Sequence, residues 1–186
     1  MRPADTAHIS AARIREGDGI EFRRLYDTYG SRVLGFALRL TGSRPEAEDL
    51  VQEVFAAAYA SRASFQGRSK PLTWLLGIAT RRWRDCGRRA TLPVSPLDED
   101  IGTGCVATLE DTVIGTVTLS QALAKLDPAM RAALLLVASQ GLTYKEAAEA
   151  LGEPVGTVKW RVFEATRKMQ KLLQAVEEEY DAMQQA

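Results

Sequence analysis

The stretch TYKEAAEALGEPVGTVKWRVFEATRKM, residues 143–169, decides how the second half of this 186-residue chain folds. Thr143 and Glu146 have the Thr-x-x-Glu spacing of a helix capping box, in which each side chain accepts a hydrogen bond from the other residue's backbone N–H. Gly152 can end that helix in the left-handed conformation, and Pro154 prevents its continuation. The stretch therefore predicts a short helix, a tight turn and a second helix immediately after the proline.

The apolar residues of both predicted helices recur at the spacing of one buried helix face. The inner positions are Tyr144, Ala147, Ala148 and Leu151 in the first helix and Val155, Val158, Val162, Ala165 and Met169 in the second. The outer side of the second helix would carry Gly156, Trp160, Phe163, Glu164 and Arg167, with Thr157, Lys159 and Arg161 on its flanks. Such a helix-turn-helix can place its second helix in the major groove of DNA. The alternative is an ordinary helical hairpin with a solvated polar face.

The composition is that of a soluble globular protein, with 46% hydrophobic residues. No apolar run approaches the roughly 20 residues that span a bilayer, so we expect no membrane insertion. The first 18 residues, MRPADTAHISAARIREGD, contain no apolar signal core, which favours a cytoplasmic location.

Few residues are available for catalysis or metal binding. The chain has two cysteines, Cys86 and Cys105, and one histidine, His8, which are too few nitrogen and sulfur ligands for a zinc site. His8 is a poor partner for a catalytic nucleophile, and no glycine-rich phosphate loop is present. We therefore expect no enzyme activity, no metal and no cofactor.

The zero net charge conceals a strong division along the chain. Residues 19–90 carry 13 basic and 7 acidic residues, and residues 91–118 carry five acidic and no basic ones. Residues 119–171 carry 8 basic and 5 acidic residues, and the last 15 residues carry four acidic and no basic ones. Two basic blocks separated by an acidic segment are more informative about binding partners than the total charge.

This division predicts the domain organisation. Residues 91–113 hold two prolines, two glycines and five acids without helical periodicity, which is typical of a linker. The predicted parts are an N-terminal extension (1–18), a first domain (19–90), a linker (91–118), a second domain with the helix-turn-helix (119–175) and an acidic tail (176–186). Both domains have helical patterning, so the predicted fold is all-α, with two small helical domains joined by a flexible acidic linker.

Two helices of the first domain have clear sequence signals. An apolar stripe from Phe22 through Tyr26 to Phe36 predicts a long helix that Gly42 ends. Ser43 and Glu46, with a proline between them, predict a second capping box at the start of the next helix.

A third helix, starting near Pro71, is apolar in its first half and rich in arginine in its second. The arginines are Arg81, Arg82, Arg84, Arg88 and Arg89. Guanidinium groups pair with phosphates, and aromatic rings such as Phe65 and Trp74 can stack on unpaired bases. The alternative is a solvated basic helix end that complements the helix dipole, with both aromatic rings in the core.

Four segments together resemble one protein family. FRRLYDTYG, AEDLVQEVFAAAY, TWLLGIATRRWRDCGRR and GLTYKEAAEALGEPVGTVKWRV occur in the order found in extracytoplasmic-function (ECF) sigma factors. The resemblance covers residues 20–175. It implies an alternative sigma factor that binds core RNA polymerase, directs initiation at specific promoter DNA in response to a stress or envelope signal, and is held by an anti-sigma factor.

The resemblance also implies three sets of site residues. The first set would dock on core polymerase: Asp49, Leu50, Gln52, Glu53 and Phe55. The second would bind the minus-ten promoter element: Phe65, Trp74, Arg81, Arg82, Arg84 and Arg88. The third would bind the minus-thirty-five element: Gly156, Thr157, Lys159, Trp160, Arg161 and Arg167.

The sequence departs from the family pattern at several of these sites. Many members have asparagine where Arg81 stands, and arginine offers phosphate affinity but not the same amide edge. Trp160 replaces a usually small polar residue, and Glu164 and Thr166 replace frequent arginines.

Two other functions remain open at this point: a sigma-like decoy that titrates a regulator, and a two-domain repressor that binds symmetric half-sites as a dimer. A sigma-factor function implies that the protein is a monomer when it is not bound to a partner.

Overall fold

The computed structural model describes the backbone of residues 9–90 and 114–184 and the side chains of residues 9–86 and 119–174. Within these ranges the secondary structure is helical, which confirms the predicted all-α class. The helices are α1 (Ala11–Glu16), α2 (Gly19–Thr41), α3 (Arg44–Ala60), α4 (Pro71–Ala90), α5 (Ile114–Ala124), α6 (Pro128–Leu134), α7 (Tyr144–Leu151) and α8 (Val155–Gln184). A short 3₁₀ turn, Arg62–Ser64, follows α3, and a π-helical turn, Leu135–Ser139, extends α6.

The first domain packs α2, α3 and α4 around one apolar core. Leu25, Phe36, Val54 and Leu75 are fully buried at its centre. Helix α1 closes one end of this core with Ile14, which is also fully buried. Residues 11–16 of the predicted N-terminal extension are thus a helix packed on the domain.

Two local predictions in this domain are wrong. Ser43 begins α3 without a side-chain cap, and its backbone N–H, which Glu46 would accept in a capping box, donates instead to the hydroxyl oxygen of Thr41, 3.2 Å away, at the end of α2. Tyr26 is half exposed rather than buried, and its ring meets the edge of the Phe55 ring with 4.9 Å between centroids. The end of α2 at Gly42, with φ of 75°, is as predicted.

The second domain packs α5, α6 and α7 against the first half of α8. Asp127 caps α6 by accepting the backbone N–H groups of Ala129 and Met130, as its position before Pro128 predicts. The long α8 continues to Gln184, so most of the predicted acidic tail lies on its backbone. Helix α5 begins at Ile114, inside the segment predicted as linker, whereas residues 91–113 lie outside the described ranges.

The predicted helix-turn-helix is confirmed. The capping box of Thr143 and Glu146 begins α7, and Gly152, with φ of 68°, ends it. The inner side of α8 is buried at Val158, Val162, Ala165 and Met169. Tyr144 and Val155, predicted to lie on the inner faces, are instead more than one third exposed. Each is the first residue of its helix, where the neighbouring helices no longer cover it.

Candidate nucleic-acid interface

The outer side of α3 presents acidic and amide side chains. Asp49, Gln52 and Glu53 are exposed because the apolar positions of α3 face α2 and α4. Leu50, in the same predicted set, is only 6% exposed, and its side chain lies in the core beneath the surface with the other inward-facing apolar positions of α3. Phe55 is half-buried and borders the exposed Tyr26.

A shallow cavity of about 400 Å³ lies next to this surface, between α2 and α3. Its lining includes Tyr26, Leu34, Glu48, Val51 and Gln52, a mixture of apolar and polar groups. The outer face of α3 therefore combines charged side chains with a recess of mixed polarity, which suits a protein partner better than a purely solvated face.

The two aromatic residues predicted to stack on bases differ in accessibility. Phe65 is 3% exposed, and its ring stacks on Trp74 with 4.5 Å between centroids and 24° between planes. Phe65 is therefore a support for Trp74, and its prediction as a base-stacking residue is wrong because the ring is buried. Trp74 is partly exposed and borders a cavity of about 270 Å³ lined also by Gln66, Arg68 and Ser69.

The described arginines in the second half of α4 differ in exposure and in pairing. Arg81 and Arg82 are exposed, whereas Arg84 is half-buried and lies 3.4 Å from a carboxylate oxygen of Glu153. Trp83 between them is half-buried, with the guanidinium of Arg131 5.4 Å from its ring centroid. The side chain of Arg88 lies outside the described residues.

The outer side of α8 is unusually apolar at its centre. Trp160 is 56% and Phe163 66% exposed, and Gly156 and Lys159 beside them are also exposed. Thr157 is half-buried. This helix face can offer ring surface as well as charge to a partner.

Two arginines of α8 are held by carboxylates of the same domain. Arg167 donates to Glu164, 2.8 Å away, one turn earlier on α8. Arg161 pairs with Glu153 in the turn between α7 and α8. Glu153 thus contacts both Arg161 and Arg84, one predicted DNA-binding arginine from each domain. The sequence gives no local signal for this double contact, since Arg84 and Glu153 are 69 residues apart.

The start of α7 is tied to the loop before α4 by a second ion pair. Lys70 Nζ lies 2.8 Å from Glu146 Oε1. The hydrogen bond from Lys70, followed by those from the backbone and hydroxyl of Thr143, lowers the pKa of Glu146 to about 2. The same ammonium–carboxylate contact raises the pKa of Lys70.

Neither a membrane span nor a metal cluster is found in the part of the chain that the structure describes. There, no helix is both long and apolar enough to cross a bilayer. Within the same residues, no group of three or more histidine, cysteine or acidic side chains is arranged to hold a metal ion. The fold thus defines an all-helical protein whose second domain carries a helix-turn-helix.

Comparison with known proteins extends this class to a family. Sigma-70 region 2 matches residues 25–91, and sigma-70 region 4 matches residues 116–169. The chain is 33% identical to the RNA polymerase sigma-H factor of Pseudomonas aeruginosa, over 87% of this chain and 91% of that protein. It is 30% identical to the ECF RNA polymerase sigma factor SigW of Bacillus subtilis, over 87% of this chain and 93% of that protein.

A solved structure agrees with these relatives. CnrH in complex with the cytosolic domain of CnrY has a TM-score of 0.66 and 26% identity, over 89% of this chain and 95% of that one. The chain belongs to the sigma-70 family of RNA polymerase sigma factors, in its extracytoplasmic-function branch. It is an alternative sigma factor, a transcription initiation factor that directs polymerase to specific promoters.

Proposed function

We propose that the two domains divide promoter recognition between them, with residues 19–90 binding core polymerase and the minus-ten element and residues 119–175 binding the minus-thirty-five element. The observation that carries this proposal is the presence of a separate exposed face on each domain. Helix α4 offers Arg81 and Arg82 near Trp74, and α8 offers Trp160 among cationic side chains.

The minus-ten face is suited to a separated DNA strand. Arg81 and Arg82 can contact phosphates, while Trp74, stacked on Phe65, is partly exposed beside the cavity of about 270 Å³. An unstacked base could enter this cavity and meet the polar groups of Gln66 and Ser69. Arg84 and Arg88 would add phosphate contacts at the end of α4.

The minus-thirty-five face is suited to the major groove of a duplex. Helix α8 starts directly after the turn, so Gly156 and Thr157 lie at its N-terminal end, where a recognition helix contacts base edges. Trp160 can contact thymine methyl groups, and Lys159, Arg161 and Arg167 can contact phosphates on either side.

The polymerase face is the outer side of α3. Asp49, Gln52 and Glu53 supply charge and hydrogen bonding, and Phe55 with the neighbouring cavity supplies apolar contact. Leu50 supports this surface from within the core.

Transcription in vitro with purified core polymerase over a library of genomic fragments tests the whole proposal. We expect initiation at a small set of start sites that share sequences near positions −10 and −35. Binding to core polymerase without any initiation would instead support the decoy function. Tight binding to a symmetric operator by a dimer, in the absence of polymerase, would support a repressor.

We also propose that an anti-sigma factor in the cytoplasm holds this protein inactive. The structurally similar CnrH is found in complex with the cytosolic domain of another protein, CnrY. Affinity capture of the tagged chain from unstressed cells should recover a dedicated inhibitor. Recovery of core polymerase alone would contradict this part of the proposal.

A further inference from the structure

Helix α1 packs against the loop that borders the proposed base cavity, residues 62–69, here called the cavity loop. A Cβ at Gly17, which ends α1, would lie 2.8 Å from Nε of Arg62. A Cβ at Gly67 would lie 3.0 Å from the Cβ of Ala11, the first residue of α1. The first distance is shorter than real Cβ contacts and the second is shorter than most of them, so α1 touches the loop closely at two points.

The cavity loop has few contacts of its own. It begins with a 3₁₀ turn, in which the N–H of Phe65 donates to the carbonyl oxygen of Arg62 at 3.0 Å. Residues 66–69 make no backbone–backbone hydrogen bond with any residue that the structure describes, and Gln66 and Gly67 are exposed. The position of this part of the loop therefore depends on packing, of Phe65 on Trp74 and of Gly67 on α1.

Arg62 is held between the end of α1 and the end of α3. Its Nη1 donates to the carbonyl oxygen of Tyr59 at 2.9 Å, and its guanidinium carbon lies 4.5 Å from the centroid of the Tyr59 ring. Gly17 approaches the Nε of the same guanidinium, with φ of 79° in the left-handed region. A side chain at Gly17 would strain the backbone and also displace Arg62.

Helix α1 is itself anchored by a fully buried carboxylate of α2. Oε1 of Glu21 accepts the backbone N–H of Ser10, the residue before α1, at 2.7 Å. Oε2 of Glu21 lies 3.4 Å from Arg13 and 3.6 Å from Arg24. Burial of a carboxylate costs free energy unless hydrogen bonds and opposite charges offset it. Both ends of α1 are therefore fixed, the first by Glu21 and the second by its contact with Arg62.

We propose that α1 is the positioning element of the cavity loop, with Ala11 and Gly17 as the residues that act on the loop and Glu21 as the anchor. None of the three lines the cavity, so each acts through the loop that places Phe65 and Gln66 beside it. Recognition groups have to be held to within about 0.5 Å, which a loop without backbone hydrogen bonds achieves only with support. The inference rests on the proposed role of this cavity in binding a base of the minus-ten element.

Two substitutions disturb the loop from α1 without changing the cavity lining. Ala11→Leu places a larger side chain against the loop, and Ala12→Leu makes the same change at the exposed next position as its control. Gly17→Ala places a methyl group against Arg62. Gly141→Ala is its matched control, since its φ of 69° gives the same backbone strain, whereas a methyl there has no described neighbour within 4 Å.

The measurement is transcription by each full-length variant with core polymerase from two libraries, one randomised at the minus-ten element and one at the minus-thirty-five element. Gln66→Ala identifies the minus-ten position that the cavity recognises. We expect Ala11→Leu and Gly17→Ala to lower base preference at that same position by about tenfold, within the range that one position usually contributes. The controls and all minus-thirty-five preferences should be unchanged.

Base preference is a ratio of transcripts within one reaction, so a smaller amount of folded protein does not alter it. Unchanged preference in either variant would overturn the inference, as would an equal change in its control or a change at a different position. A wild type with shared minus-ten sequences and variants that retain its preference would leave the proposed function intact. Absence of any minus-ten position that responds to Gln66→Ala would instead reject the role of the cavity, and the inference with it.

The buried carboxylate provides a rescue test. Glu21→Ala removes the acceptor of the Ser10 N–H, whereas Glu21→Gln keeps an oxygen for it. We expect Glu21→Ala to lose the same base preference as Gly17→Ala, and Glu21→Gln to retain it. Loss of the preference in both Glu21 variants, or in neither, would exclude Glu21 as the anchor.

Discussion

The ion pair and capping box at the start of α7 can be separated by substitutions at Glu146. One carboxylate oxygen of Glu146 accepts the backbone N–H of Thr143 at 2.9 Å, and the other lies 2.8 Å from Lys70 Nζ. Glutamine keeps an oxygen for the cap but loses the charge, whereas alanine loses both. The variants Glu146→Gln and Glu146→Ala therefore measure the two contributions in turn.

The expected losses of unfolding free energy differ about threefold. The ion pair contributes roughly 0.5 kcal/mol, less than the lowered pKa of Glu146 would give, because water screens a lysine whose side chain is 75% exposed and the Thr143 hydrogen bonds account for part of that pKa change. Loss of the capping hydrogen bonds adds about 1 kcal/mol. We expect Glu146→Gln to cost about 0.5 kcal/mol at neutral pH and Glu146→Ala about 1.5 kcal/mol.

The pH dependence follows from the lowered pKa of Glu146. Its pKa falls from 4.5 to about 2 on folding, so the folded state favours the ionised form. The stabilisation is complete above pH 4.5 and is lost as the pH falls toward 2. The stability difference between wild type and Glu146→Gln should therefore shrink steadily over that interval, because a protonated carboxyl resembles the amide.

Urea unfolding followed by far-ultraviolet circular dichroism at several pH values between 7 and 3 measures these differences. Lys70→Met is the matched variant, and combining it with Glu146→Gln should cost no more than either change alone. Either of two results would contradict the separate contributions of the ion pair and the cap. In the first, Glu146→Gln loses as much unfolding free energy as Glu146→Ala at neutral pH; in the second, it loses the same amount at every pH.

Three further predictions concern the proposed interfaces. Trp160→Ser should change preference at one or two minus-thirty-five positions by about 1–3 kcal/mol each, measured by transcription from a randomised library; an unchanged preference profile would assign Trp160 to another surface. Replacing Arg81 and Arg82 by alanine should reduce the slope of log affinity against log salt by about two, and an unchanged slope would exclude both phosphate contacts. Reversing Asp49 and Glu53 to lysine should weaken capture of core polymerase by the folded protein, and undiminished capture would move the docking surface elsewhere.

Features that depend on neighbouring residues in the chain could be predicted from the amino-acid sequence. The capping box at Thr143, the end of α7 at Gly152 and the cap at Asp127 all join groups within five residues. Such contacts join residues that are close together in the sequence, so their spacing predicts them unless another group competes for the same atoms. The family motifs extended this local information to a fold and a function.

Local spacing failed where a distant or competing group intervened. Ser43 has the sequence of a capping box, but the Thr41 hydroxyl from the preceding helix takes its N–H. Phe65 belongs to a functional motif, yet its ring is buried and stacks on Trp74. Whether a side chain in such a motif reaches solvent depends on which neighbouring elements cover it.

The contacts between the two domains could not be predicted from the sequence, because they depend on how whole helices pack. In the sequence, Gly77 is an ordinary helical glycine and Glu153 is a turn residue. Their contacts with Ala150 and Arg84 are seen only once α7 is packed on α4. Glu153 then joins Arg84, 69 positions away, to Arg161, eight positions away. No periodicity encodes such a pair, because its geometry depends on the packing of whole helices, and this packing determines which of the proposed DNA-binding arginines pair with a carboxylate.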